Sequence, residues 1–330
     1  MNESFLMLIF VVVLALVFDF SNGWHDAANA VATVVSTRVL SPGRAVLMAA
    51  ILNVAGAFMS TAVAKMVGGG IVEASVITHS TVAAALVGAI AWNIVTLFLG
   101  LPTSSSHALL GGLVGAALSQ GGMAAVKFAG LRTVLEALLF SPILGFVLGY
   151  LMIVAIYWAM FRVTRGVANK LFRRIQVISA GLMAFSHGSN DAQKVMGIIT
   201  LALVSGGFLD RVEIPNWVIL ACALSMGLGT AIGGWRIIRT MGMRIVKLEP
   251  VHGFAAETSS AAILLATAHF GLPVSTTHTI TSSIMGVGAV QRLSAVRWGV
   301  TIRILYAWVL TLPAAAGIAY VTNHLLNLRH

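Results

Sequence analysis

Charge is scarce in this chain. Asp, Glu, Lys and Arg make up 9% of its 330 residues, whereas a soluble domain carries about 25%. With 58% hydrophobic residues and a mean hydropathy of +0.96, a water-soluble globule is excluded. Cysteine is almost missing. Cys222 stands alone in an apolar run, which rules out an internal disulfide and leaves a thiolate metal centre without ligands; it reads as a small packing residue. Around Met1-Asn2-Glu3-Ser4 there is neither a basic leader nor a small-residue cleavage site, so the first apolar run reads as mature protein. Acids are the rarer charged class, 10 against 20 basic residues, for a net charge of +10. In a soluble protein that balance would suggest nucleic acid. Here the basic residues sit in short loops between apolar runs, which is the positive-inside pattern, and no nucleic-acid partner is expected. Membrane barrel strands are about 10 residues long, and most runs here are longer. The fold class is an all-α polytopic membrane protein in the lipid bilayer.

Apolar runs lie at 5–18, 45–67, 81–101, 108–118, 131–161, 175–203, 217–235, 255–272, 280–290 and 303–325. Several are shorter than the roughly 20 residues a crossing needs. Comparing the two halves shows a duplication. Phe20-Ser21-Asn22-Gly23-Trp24-His25-Asp26-Ala27 matches Phe185-Ser186-His187-Gly188-Ser189-Asn190-Asp191-Ala192, 165 positions on (185 − 20). Gly100-Leu101-Pro102-Thr103-Ser104-Ser105-Ser106-His107 matches Gly271-Leu272-Pro273-Val274-Ser275-Thr276-Thr277-His278, 171 positions on (271 − 100). Two unrelated motifs recur in one order at nearly one offset.

Loop charge sets the relative direction of the halves. With the N-terminus outside, the first run brings Arg38 and Arg44 inside and the second run returns. The two arms around the first Gly-Leu-Pro form a re-entrant helical hairpin, and the run 131–161 delivers Arg162, Arg165, Lys170, Arg173 and Arg174 to the inside. The second half then starts inside. Its loops place Arg236, Arg239, Arg244, Lys247, Arg292, Arg297 and Arg303 inside, leaving Lys65, Lys127, Arg132, Arg211 and Arg329 outside. The bias favours two inverted repeats: residues 1–161, a basic cytoplasmic linker 162–174, and residues 175–330. Both termini are expected outside a plasma (inner) membrane.

The first motif puts Asn22, His25, Asp26 and Asn29 within a span. Its second copy puts His187, Asn190, Asp191, Gln193 and Lys194 there. An ionisable group at that depth costs at least about 2.5–3.5 kcal/mol, so a functional partner is expected. Gly23 and Gly188 would let each helix open and free carbonyls for a cation. Asp, Asn and carbonyl oxygens suit either sodium or a proton relay, so a sodium site at Asp26 and Asp191 is an expectation; a structural hydrogen-bond knot is the alternative. In the second motif Pro ends the incoming arm. Ser104, Ser105 and Ser106, and in the other half Ser275, Thr276 and Thr277, then open a half-helix. Its free N–H groups and hydroxyls suit a tetrahedral oxyanion such as phosphate, while simple N-capping is the plainer reading. His107 and His278 either touch the anion or support the tips by packing, and packing is preferred. A Ser–His hydrolase fits poorly, because no nucleophile-elbow spacing occurs. Glu257, in the incoming arm of the second hairpin, is either a coupling-ion ligand or the partner of a loop Arg. No bound cofactor is expected.

The chain resembles the inorganic phosphate transporter (PiT) family, its bacterial branch in particular. The residues that carry the likeness are Asn22-Gly23-Trp24-His25-Asp26-Ala27-Ala28-Asn29-Ala30, His187-Gly188-Ser189-Asn190-Asp191-Ala192-Gln193-Lys194, and both Gly-Leu-Pro hairpins. The likeness covers essentially the whole chain. It implies phosphate uptake by symport with sodium or a proton through alternating access. Hairpin hydroxyls would face phosphate, Asn22, Asp26, Asn29, Asn190, Asp191 and Glu257 would lie near the coupling ions, Gln193 would give outer support, and the assembly would be a homodimer. Two departures stand out: His25 replaces an Asn of the family signature, and Gln193-Lys194 replace Ala-Asn. They keep open proton coupling and carriage of a neutral metal–phosphate complex. The family also includes members that look like sulfate carriers.

Overall fold

A computed structural model describes residues 3–73 and 75–328. Met1, Asn2 and Arg329, whose side of the membrane was assigned above, lie outside the described residues. Twelve α-helices are found among those described. They are α1 (Glu3–Ser36), α2 (Pro42–Ala57), α3 (Ala62–Gly69), α4 (His79–Leu99), α5 (Ser105–Gly121), α6 (Phe128–Ala159), α7 (Arg165–Ser205), α8 (Asn216–Ile232), α9 (Trp235–Arg239), α10 (Pro250–His269), α11 (Thr276–Gln291) and α12 (Trp298–Asn327). One order is met twice: a long helix, a bent pair, a two-armed hairpin, a short 3-10 turn and a long closing helix. Among the described residues five helices (α1, α4, α5 with its 3-10 extension, α6 and α12) are long and apolar enough to cross a bilayer, or up to seven spans if each bent pair counts as one. Large apolar side chains point outward along α6 (Leu139, Phe140) and α12 (Tyr306, Val309), as lipid contact requires.

Two of the expected single crossings are broken. The run 45–67 folds as α2 and α3, bent by 72°, and the run 217–235 folds as α8 and α9, bent by 61°. The first break, at Phe58–Thr61, restarts on the Ser60 hydroxyl, which accepts from the amide of Ala62. The second falls at Gly233, whose φ of 75° interrupts the helix. Neither break carries a Pro, so hydropathy alone reads each pair as one run. The basic segment 162–174 is helical from Arg165 and forms the first turns of α7.

The expected opening of the motif helices at Gly23 and Gly188 is overturned. Both α1 and α7 run unbroken through their motifs. The glycines serve close crossing instead. The carbonyl of Met226 in α8 stands where a Cβ on Gly23 would go, and Gly229 meets the carbonyl of Phe20 in return. Gly188 is packed in the same way on Asn53 of α2, and Gly56 on Phe185. Small residues let backbones approach, and van der Waals packing then holds the pair in lipid.

The Gly-Leu-Pro tripeptides are helix stops. Gly100 takes φ 67° and Gly271 φ 70°, the left-handed conformation a glycine adopts without strain. Leu101 and Leu272 then bond back to the carbonyls of Thr96 and Thr267, which is a Schellman closure. Ser104 and Ser275 start the outgoing arms, each hydroxyl accepting the amide three residues on, at 3.1 Å. The first hairpin lies on α12, where Gly111 and Gly115 face the carbonyls of Leu312 and Ala316; the second lies on α6, where Gly286 faces Phe146.

Two apolar clusters fill the interior. Along α1 the first cluster takes Leu8 to Phe18 and the second Ala28 to Val34. Along α7 the order reverses: Ala180 to Ala184 belong to the second, Ala192 to Leu203 to the first. Both polar motifs therefore lie between the clusters. Filling one backbone crossing should be costly. Gly188→Ala places a methyl on the Asn53 carbonyl, whereas Gly317→Ala meets nothing within 4 Å. The expected outcome is a Gly188→Ala variant destabilised by about 1–3 kcal/mol, read as a lower melting temperature in detergent, with Gly317→Ala unchanged.

Candidate functional site

The two hairpin tips meet. The Ser106 hydroxyl lies 3.4 Å from the carbonyl of Val274 in the opposite tip, and the His107 and His278 rings are 4.5 Å apart. His278 also stacks on Trp308 of α12 at 3.8 Å. No ring nitrogen of either histidine bonds a tip hydroxyl among the described residues, so no Ser–His nucleophile pair is formed.

The motif helices reach this junction from both sides. Thr277 donates to Asp26 Oδ2 at 3.3 Å, and Thr276 donates to Asp191 Oδ2 at 2.9 Å. Asn29 donates to the hydroxyls of Thr277 and Thr276 at 3.0 and 3.3 Å. The second tip is thus tied to both halves of the chain. Lys194 bonds Asp191 Oδ1, donates to Ser106 Oγ at 2.5 Å and to the Val274 carbonyl at 2.8 Å. His25 donates to Asp26 Oδ1 at 2.6 Å, and its other nitrogen lies 3.1 Å from the Thr96 hydroxyl. His187 is 3.3 Å from Asp191 Oδ2 and 3.1 Å from Asn53 Oδ1, and Asn53 in turn donates to Thr230 at 2.8 Å.

All six tip hydroxyl residues are buried, as are Asn22, Asp26, Asn29, Asn190 and Asp191. The site is shielded from solvent. Of the six hydroxyls, Ser104 and Ser275 act as N-caps, Thr276 and Thr277 donate to carboxylates, Ser106 receives Lys194, and Ser105 Oγ is buried with no partner. The amides of the first turn behind each cap have no intrahelical acceptor, so the tips keep donors to offer. Ligand atoms of Asp26, His187 and Asp191 all lie within 4.8 Å of one another, so the two motif acids meet at one place.

Several expected residues make no hydrogen bond to the tip hydroxyls among the described residues. Gln193 accepts from the amide of Val63 at 2.9 Å and so caps α3, whose first residue Ala62 lies beside Gly271 of the second hairpin. Asn22 Oδ1 and both side-chain polar atoms of Asn190 are buried without a partner. Among the described residues Glu257 meets no arginine. It accepts from Thr33 at 2.5 Å, from Gln176 at 3.1 Å and from Ser179, joining α10 to α1 and α7. Thr33 is seven residues beyond Asp26 on α1, about 10 Å at the helical rise, so Glu257 stands off from the tips. Gln176 also receives Thr37 at 2.9 Å, and Thr37 lines an open cavity of about 980 Å³ with Arg38, Arg165, Arg173, Glu249 and His252.

Asp19 was not foreseen. It is wholly buried and neither carboxylate oxygen has a hydrogen-bond partner. Its signal was present: Asp19, Asn22 and Asp26 fall at i, i+3 and i+7, one face of α1. Asn53, Thr96 and Thr230 had no such signal, being single polar residues within apolar runs.

Comparison with known proteins agrees with this architecture. A profile of the phosphate transporter family matches residues 22–319. A probable low-affinity inorganic phosphate transporter of Rhizobium meliloti (strain 1021) is 49% identical over 315 residues, covering 95% of this chain and 94% of the relative. A protein of the same description from Bacillus subtilis (strain 168) is 45% identical over 331 residues, 99% of each chain. A solved structure described as the sodium-dependent phosphate transporter shares the fold, with TM-score 0.90 and 24% identity over 98% of this chain and 99% of that one. The chain is a multi-pass membrane protein that belongs to the phosphate transporter family, a family of transporters and not of enzymes.

Proposed function

We propose that this chain imports inorganic phosphate by symport with a cation, sodium or proton, holding the anion between Ser104–Ser106 and Ser275–Thr277. The carrying observation is electrostatic. Two carboxylates, Asp26 and Asp191, flank the tips in a buried site that contains one fixed ammonium, Lys194. Two unit charges 4 Å apart interact by about 4 kcal/mol even at an effective dielectric of 20. A phosphate anion therefore enters beside these acids only with positive charge in company. The buried acids support symport, and the relatives described as phosphate transporters support the choice of anion. Asn22, Asn29 and Asn190 add oxygen ligands around the two acids, and His107 and His278 brace the tips.

The reading has a topology. The reversed order of the two apolar clusters along α1 and α7 supports inverted repeats. Both arms of the first hairpin pack chiefly in the first cluster and both arms of the second in the second cluster, which supports re-entry from opposite faces with tips at the midplane. The cavity near Arg165 and Arg173 then faces the cytoplasm, with both termini outside, in the plasma membrane, as a homodimer. Thr37, Gln176, Glu257 and Thr33 form a polar line from that cavity toward Asn29 and Asp26, which suits release of the co-ion inward.

Uptake of labelled phosphate by purified protein in liposomes tests the reading. Accumulation is expected under an imposed sodium or proton gradient, with less than tenfold loss in excess sulfate; no uptake under either gradient would refute it, and full competition by sulfate would move the substrate to oxyanions at large. Asp26→Asn and Asp191→Asn should each abolish gradient-driven uptake while the protein stays monodisperse. Glu257→Gln should lower gradient-driven uptake about tenfold yet leave phosphate binding intact, since an amide keeps the Thr33 contact and loses the charge; normal uptake would remove Glu257 from the co-ion line.

A further inference from the structure

Lys194 and Asn29 hold one position in the two halves, each three residues beyond its motif acid, Asp191 and Asp26. Their surroundings correspond as well. Ser106 matches Thr277, and Val274 matches Thr103, both at the offset of 171 (277 − 106; 274 − 103). In one half the Lys194 ammonium is held by Asp191, Ser106 and the Val274 carbonyl. In the other half Thr277 donates to Asp26 and Asn29 donates to Thr277, so an amide stands where the ammonium would be, with its buried oxygen unpartnered among the described residues.

A carboxylate, a hydroxyl and a main-chain carbonyl are hard oxygen donors, the set that a small metal cation takes. Lys194 is itself buried, with 3% of its surface exposed. Its ammonium has three protons, and the three oxygens receive them. Nothing remains over for an anion unless one of those bonds is given up. The ammonium therefore fills the place of a cation and does not project into the gap between the tips.

We propose that Lys194 is a tethered cation occupying one of two matching cation sites, so that the chain takes up one free co-cation per phosphate, at Asp26, Asn29 and Thr277. The proposal rests on the symport reading and deepens it. The lysine neutralises Asp191 permanently, while Asp26 needs a mobile partner. A fixed charge cannot travel with the substrate, so the residue sets the coupling ratio and leaves the anion site itself unchanged.

The test uses purified full-length protein and sodium-22, without phosphate, in equilibrium dialysis. K194N supplies an amide oxygen in place of the ammonium, as Asn29 does in the other half. The expected result is one more sodium bound per chain than in wild type, with K194R binding the wild-type number. No extra sodium in a monodisperse K194N would overturn the proposal, and so would a loss of phosphate affinity without sodium gain, which would make Lys194 an anion ligand. Wild-type uptake in liposomes gives a reading independent of how the variant folds. Its dependence on co-cation concentration should be hyperbolic, with a Hill slope near one; a slope near two overturns the proposal. Failure of phosphate uptake together with the extra sodium in K194N would remove the phosphate reading and leave the tethered cation standing.

Discussion

The structure depends on a clamp in which neighbouring hydroxyls of one helix tip serve two carboxylates from different halves of the chain. Thr276 donates to Asp191 and Thr277 to Asp26. Burying a carboxylate in a lipid-facing fold is costly, and such donors or a cation offset that cost. The clamp therefore fixes where α1, α7 and the second hairpin must converge. Lys194 closes the junction from the other side by joining Asp191 to both tips.

The rest of the molecule brings these elements close enough. Unbroken motif helices cross their neighbours backbone to backbone at Gly23, Gly229, Gly188 and Gly56. Close crossing fixes where each acid lies relative to the neighbouring helix, because tightly packed backbones resist sliding. Gly100 and Gly271 end the incoming arms of the two hairpins by one backbone device. The outcome is a closed polar core between two apolar clusters. An open cavity lined by Arg38, Arg165 and Arg173 lies at the far end of the polar line from Thr37 through Gln176.

Much of this was legible in the sequence, for physical reasons. Helix stops and caps are local, so Gly-Leu-Pro followed by hydroxyls could be read directly, and the duplication told that there were two of them. Long-range uses of the same residue types could not be read. Gly23 and Gly188 looked like hinges, but glycine serves a hinge and a close crossing equally, and only the partner helix decides. The bends in the runs 45–67 and 217–235 lack a Pro, so hydropathy joined what the chain separates. Glu257 was open to a coupling-ion role or to a loop Arg, because a lone acid in an apolar arm fits either; burial gave it hydroxyls and an amide in place of an Arg. Asp19 was lost at the edge of an apolar run, although its spacing to Asn22 and Asp26 was visible.

The central claim is that an anion sits between the tips only when positive charge accompanies it. Equilibrium binding of labelled phosphate to the purified protein in detergent tests this most directly. It would be measured in choline buffer at alkaline pH, then with sodium added, then at lower pH. The account predicts saturable binding that appears with one of these cations and is absent without both. Equal phosphate binding in choline at alkaline pH would contradict it.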